Sequence, residues 1–234
     1  MADHGRQGGD GRPRAPVIDD DVTGRELDQQ VRRELSTLAG PVAGTVARHL
    51  VMAGRLLDVD PELAHQHAQA ARQRAGRVAV VREAAGYAAY EAGHYDVGLT
   101  EFRAARRISG QADFLAVMAD CERGVGRPER ALAIAEDPEA ARLPVEEQAE
   151  LVIVTAGALR DLGRDEEALA LLRRALPARP PEAQWVARLN YALGDVLASA
   201  GRVDEAVSAF AAAEAGDADG SLDAGDRVVE LLGT

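Results

Sequence analysis

Apolar residues recur along the chain at helical rather than strand spacing. In DQQVRRELSTL, Val31, Leu35 and Leu38 fall on one face of a helix. Asp28 stands before them as an N-cap. After Gly40 and Pro41 the pattern continues in PVAGTVARHLVMAGRLL and then DVDPELAHQHAQAARQRA. In the second of these Asp60 caps, Pro61 occupies the first helical position and Glu62 suits the positive helix end. Short valine runs such as VAVV at 78–81 lie inside Ala-rich helical patterns and are not read as strands. The expected class is all-α.

One stretch, YEAGHYDVGLTEFRAARR at 90–107, breaks this helical habit with Gly93 and Gly98. The break recurs. Turn glycines stand at Gly93, Gly126 (GVGRPERALAIA), Gly163 (DLGRDEEALALL) and Gly201 (SAGRVDEAVSAF), at intervals of 33, 37 and 38 residues. Five residues after each comes a small residue: Gly98, Ala131, Ala168 or Ala206. Nine residues after each come Phe102, Ala135, Leu172 and Phe210. Gly86 and Gly194 precede the first and last turns by seven.

This pattern resembles the tetratricopeptide repeat, which has a period of about 34 residues. The segment from Gly86 to Ala105 supplies the first Gly, the turn Gly, Tyr95, Gly98, Phe102 and Ala105; Ala85 and Ala89 replace the family's Leu and first Tyr. Leu193 to Ala213 supplies Leu193-Gly194, Gly201, Ala206, Phe210 and Ala213, and the repeat around Gly163 supplies Ala168, Ala175 and the late Pro180. The Gly126 repeat departs most: Pro128 replaces the second aromatic, and Pro138 should end its second helix early. The resemblance implies a right-handed superhelical solenoid of four to five antiparallel helix hairpins. The expected organisation is a disordered tail over 1–22, then a solenoid over 23–234. Within it come an N-terminal helix at 28–38, a degenerate hairpin at 41–75 with Gly54 near its turn, repeats at 79–111, 112–142, 145–180 and 183–215, and a capping helix at 221–232.

Composition narrows the function. Hydrophobic residues reach 47% and aromatics only 3%, so Ala, Leu and Val must fill the core. All 27 basic residues are Arg. That fits a high-GC bacterial source, and it excludes P-loop and Schiff-base lysines. Residues 111–234 carry the whole net charge of −12, which repels nucleic acid and anionic membranes and favours a basic partner. No run is apolar enough for a membrane span and the start is no signal peptide, so a cytoplasmic location is expected.

Candidate chemistry is sparse. His65 and His67 are two apart on a helix, point to different faces and suit no shared metal; both are expected to be exposed. Cys121 lies between Asp120 and Glu122, whose charges raise a thiol pKa, so a buried core Cys is expected. Glu146-Glu147 and Glu166-Glu167 read as solvated faces. GGDGR at 8–12 follows no strand and is no nucleotide loop. No catalytic residue, metal or cofactor is expected.

The resemblance implies instead a groove lined by the first helix of each hairpin. Its positions fall on Glu83, Tyr87 and Tyr90, then Asp120 and Arg123, then Arg160 and Asp161, then Arg188, Tyr191 and Asp195. A Lys/Asn carboxylate clamp is excluded by the missing Lys and the single Asn, Asn190. The expected function is a non-catalytic interaction module, a scaffold or regulator that binds a protein or peptide of basic character. The alternative is RNA or ribosome association through the Arg-bearing region 48–107, against which the acidic second half counts.

Overall fold

The computed structural model describes residues 15–178 and 183–233. Among them there are twelve α-helices and no strand. The chain divides into two compact units, residues 1–92 and 93–234. Residues 1–14, including GGDGR, and Pro180 lie outside the described residues.

The first unit holds α1 (Gln29–Leu35), α2 (Gly40–Leu56), α3 (Pro61–Ala75) and α4 (Ala79–Glu91). Asp28 caps α1 by accepting from the Val31 amide, and Asp60 caps α3 by accepting from Leu63. Helices α2 and α3 pack together as a hairpin, with Gly54 in the last turn of α2, near the loop. Alanines carry the close packing: Ala64, Ala68, Ala71, Ala85 and Ala88 have no exposed surface.

Two expectations for this unit need correction. Part of residues 15–22, assigned to a disordered tail, is folded onto the unit from Ile18 on. Val22 is 2% exposed, Ile18 packs beside Val51 and Met52, and Asp21 pairs with Arg55 at 2.8 Å. The HQH stretch is not solvent-facing at both histidines. His67 is fully buried, with its Nδ1 3.0 Å from Nδ1 of the buried His49 on α2.

The second unit holds α5 (Tyr95–Ser109), then the pairs α6 (Leu115–Gly124) with α7 (Pro128–Ala135), α8 (Val145–Asp161) with α9 (Asp165–Ala175) and α10 (Gln184–Ser199) with α11 (Val203–Gly216), and finally α12 (Ala224–Leu232). Each pair is joined by three residues and packs as a hairpin. The loops are one device used three times. Gly126, Gly163 and Gly201 have φ of 74°, 71° and 73°, a left-handed conformation nearly free for Gly. Their amides donate to Arg123, Arg160 and Ala198 carbonyls, and the next amides (Arg127, Arg164, Arg202) donate to Glu122, Leu159 and Leu197. This satisfies the last carbonyls of each first helix and reverses the chain.

Small residues set the spacing inside the hairpins. A Cβ on Gly194 would lie 2.8 Å from the Phe210 ring, so α10 and α11 meet only because position 194 has no side chain. Outside the hairpins, between α5 and α6, Gly124 lies directly against the Tyr95 ring in the same way. Gly98 is buried within α5, and Phe102 there stacks on Phe114. As Pro138 implied, α7 is short: it has 8 residues against 15 in α5, 11 in α9 and 14 in α11, and a 3-10 turn over Pro138–Arg142 replaces its end.

Candidate interaction face

The first helices of the hairpins, α6, α8 and α10, pack side by side. Their polar side chains bond from one helix to the next. Arg123, at the end of α6, holds Asp120 on its own helix and Asp161 on α8, both at 2.8 Å. Its guanidinium crosses Gly157 of α8, where a Cβ would come within 2.5 Å of it. Burial pulls the Arg123 pKa down, but hydrogen bonds and charges from Asp161 and Asp120 outweigh it and the net shift is upward. Arg188 on α10 pairs with Glu150 on α8 at 2.8 Å, while burial pushes the Glu150 carboxyl above its usual range. Arg160 donates to Ser199 at 2.6 Å.

At the far side of α10 the partners come from α12. Asp195 pairs with Arg227 at 2.8 Å, and the Tyr191 hydroxyl donates to Asp223. The Tyr191 ring meets Phe210 edge-on at 5.2 Å, and Arg227 lies over the Phe210 ring at 4.9 Å. Burial, then the Asp223 bond, raises the Tyr191 pKa.

All seven of the positions expected on α6, α8 and α10 therefore share one bonded face. Tyr191 is half-buried and anchors the end of the unit instead of standing out as an open aromatic contact. Glu83, Tyr87 and Tyr90 lie on α4 in the first unit, with Tyr87 36% exposed and the other two partly buried. Sequence reasoning missed Glu150, Ser199, Asp223 and Arg227. A signal existed for the first two: the bonded pairs 123/161, 150/188 and 160/199 are 38, 38 and 39 residues apart, the repeat interval.

Beside Arg123 the face opens into a polar hollow of about 610 Å3, lined by Tyr95, Asp120, Arg123, Gly124, Pro128, Glu129 and Asp161. Three carboxylates against one guanidinium make it an acidic hollow. Elsewhere, among the described residues, no group of three His, Cys, Asp or Glu could hold a metal ion, and no helix is long and apolar enough to cross a membrane. Cys121 is buried, and burial pushes its thiol up to about 12, with Asp120 and Glu122 adding to the shift. In the Arg-bearing region, Arg72, Arg74 and Arg82 bond to Gln69 and to the Ala70 and Gly76 carbonyls.

The family described as "Tetratrico peptide repeat" matches residues 110–217. No curated protein matches the chain. Among solved structures the chain is similar to TTC0263, a thermophilic TPR protein of Thermus thermophilus. The TM-score is 0.61 and the identity 20%, covering 81% of this chain and 100% of that one. It is also similar to NprR, solved in complex with its cognate peptide NprX. Here the TM-score is 0.55 and the identity 13%, and the match covers 87% of this chain but only 63% of NprR. The hairpins, their repeated glycine turns and these likenesses agree: residues 110–217 are a tetratricopeptide-repeat region within an all-α fold.

Proposed function

We propose that the chain is a non-catalytic interaction module whose α6–α8–α10 face binds a protein or peptide bearing basic side chains. The observation that carries this reading is the acidic hollow of about 610 Å3 beside the Arg123–Asp161 bridge. A Lys or Arg side chain entering it meets Asp120, Glu129 and Asp161, and Tyr95 offers an aromatic wall for its stem. The Arg123 guanidinium, already held between two carboxylates, fixes their orientation and lowers the ordering cost of binding. NprR, which shares the fold, was solved with a peptide bound, and this supports a peptide as the kind of partner. In the first unit, taken by itself, Tyr87 and Tyr90 on α4 offer a separate contact surface of the amphipathic type that interfaces favour.

The test starts from a pull-down with the full chain from its native cell. The recovered partner is then titrated against Asp120→Asn with Asp161→Asn, and separately against Tyr87→Ala with Tyr90→Ala. Each pair is expected to lower affinity at least ~10-fold, or about 1.4 kcal/mol. The Asn pair should also flatten the salt dependence. Circular dichroism must show unchanged helix content. Folded variants that bind like the wild type would place the site elsewhere.

A further inference from the structure

The shortened α7 leaves a second, chemically different surface. Where a full-length helix would cover α8, the 3-10 turn after Pro138 leaves an open trough of about 790 Å3 between α7 and α9. Leu132, Leu151 and Val152 line it, with Leu171 on the opposite side. A smaller hollow of about 240 Å3 shares Gln148, Val152, Leu171 and Arg174 with it, so the trough continues to Trp185 on α10. Its polar lining is largely turned inward: Gln148 bonds the Leu143 carbonyl, Thr155 the Leu151 carbonyl, and Arg164 closes onto Glu167. Two groups are the contrast: Glu136, exposed at the α7 end, and Arg174, exposed at the part shared with the smaller hollow, where it has no ion-pair or hydrogen-bond partner among the described residues. The surface thus asks for an apolar ridge of helical width that carries a carboxylate.

The chain itself presents such a ridge. Helix α12 turns Ala224, Val228 and Leu231 toward the core, and leaves Val229 50% and Leu232 57% exposed. Asp226 lies on the same outer edge, one turn before Val229, and is also exposed. Two exposed apolar side chains flanked by an acid complement an apolar trough flanked by an unpaired guanidinium.

We propose that the outer edge of α12 in one copy of the chain docks into the α7–α9 trough of another, with Asp226 turned toward Arg174. The contact joins two different patches. It either closes reciprocally as a dimer or adds copies head to tail, and both stoichiometries use the same contact.

Sedimentation of the full chain from micromolar to millimolar concentration tests the proposal. Concentration-dependent association is expected, accompanied by a shift in the emission of the chain's single tryptophan, Trp185. Leu232→Asp and Arg174→Asp should each weaken it at least ~10-fold. Combining Arg174→Asp with Asp226→Arg should recover part of the loss. Both original residues are exposed, so helix content should not change. A chain that stays monomeric throughout, with constant emission, overturns the proposal. So does association that survives both single variants. Association that needs Arg174 but ignores Leu232 removes α12 as the occupant and overturns it equally.

Discussion

His49 and His67 meet Nδ1 to Nδ1 at 3.0 Å in the interior of the first unit, with ring centroids 5.2 Å apart. One ring must donate and the other accept, so the pair cannot hold two charged imidazoles. Burial first, then the charges of His67, Arg74 and Arg48, push the His49 pKa down to about 4. Burial also lowers that of His67, against the pull of Asp19. A lowered folded pKa means the unfolded chain takes up the proton first. The stabilisation is therefore complete above the unfolded value of 6.5 and is lost as pH falls toward 4. Between pH 7 and 5 the first unit should lose about 1–2 kcal/mol in thermal or urea unfolding. Replacing both histidines by Leu should flatten that slope; an unchanged slope would show that other groups set it.

The glycines separate into those that must be bare and those that need not be. Gly194→Ala should cost about 1–3 kcal/mol, because its methyl group would enter the space of the Phe210 ring. Nothing lies within 4 Å of a Cβ on Gly44, inside α2. Gly44→Ala should stabilise by about 0.5–1 kcal/mol through the lost freedom of the unfolded chain. Melting temperatures moving in opposite directions would confirm the distinction.

Glu122 on α6 is fully buried and held between Arg103 at 2.8 Å and Arg127 at 2.7 Å. Both arginines are partly exposed, so solvent screens them and each contributes less than a fully buried pair would. Arg103→Ala should cost about 1–2 kcal/mol in urea unfolding, since a buried carboxylate loses one of its two cations. Adding Glu122→Met should recover part of that loss, because the stranded charge is gone. A further drop would show that Glu122 has a structural role beyond its charge.

Cys121 should be inert in the folded protein. With the thiol pushed up to about 12, almost no thiolate exists at pH 8. Iodoacetamide should leave the native chain unmodified and label it after unfolding in guanidinium chloride. Labelling of the native chain would reveal an opening of α6.

What the sequence made legible follows from local rules. Gly126, Gly163 and Gly201 were readable because a left-handed turn residue has one cheap solution. Asp28 and Asp60 announced their caps, and Pro138 the early end of α7. What was hidden depends on partners far along the chain. The burial of His67 is explained only by His49, eighteen residues earlier on another helix. The folded stretch before residue 23 has the composition of a tail, and only the site that receives Val22 and the Arg55 side chain that meets Asp21 betray its order. On the interaction face, residue types were readable and engagement was not: Tyr191 looked like an open contact until Asp223 and Arg227 were seen to claim it.

The three matched glycine turns also make the second unit divisible. Since Gly126, Gly163 and Gly201 hold φ within a few degrees of one another, a segment running from one turn to the next begins and ends on the same backbone geometry. Such a segment could be duplicated or excised by recombination at the glycine codons without asking any peptide to adopt a new conformation. Arg123–Asp161 and Arg160–Ser199 span that same interval, so a duplicated segment would arrive with matching rungs at its new seam. The second unit is then free to lengthen or shorten in steps of one hairpin.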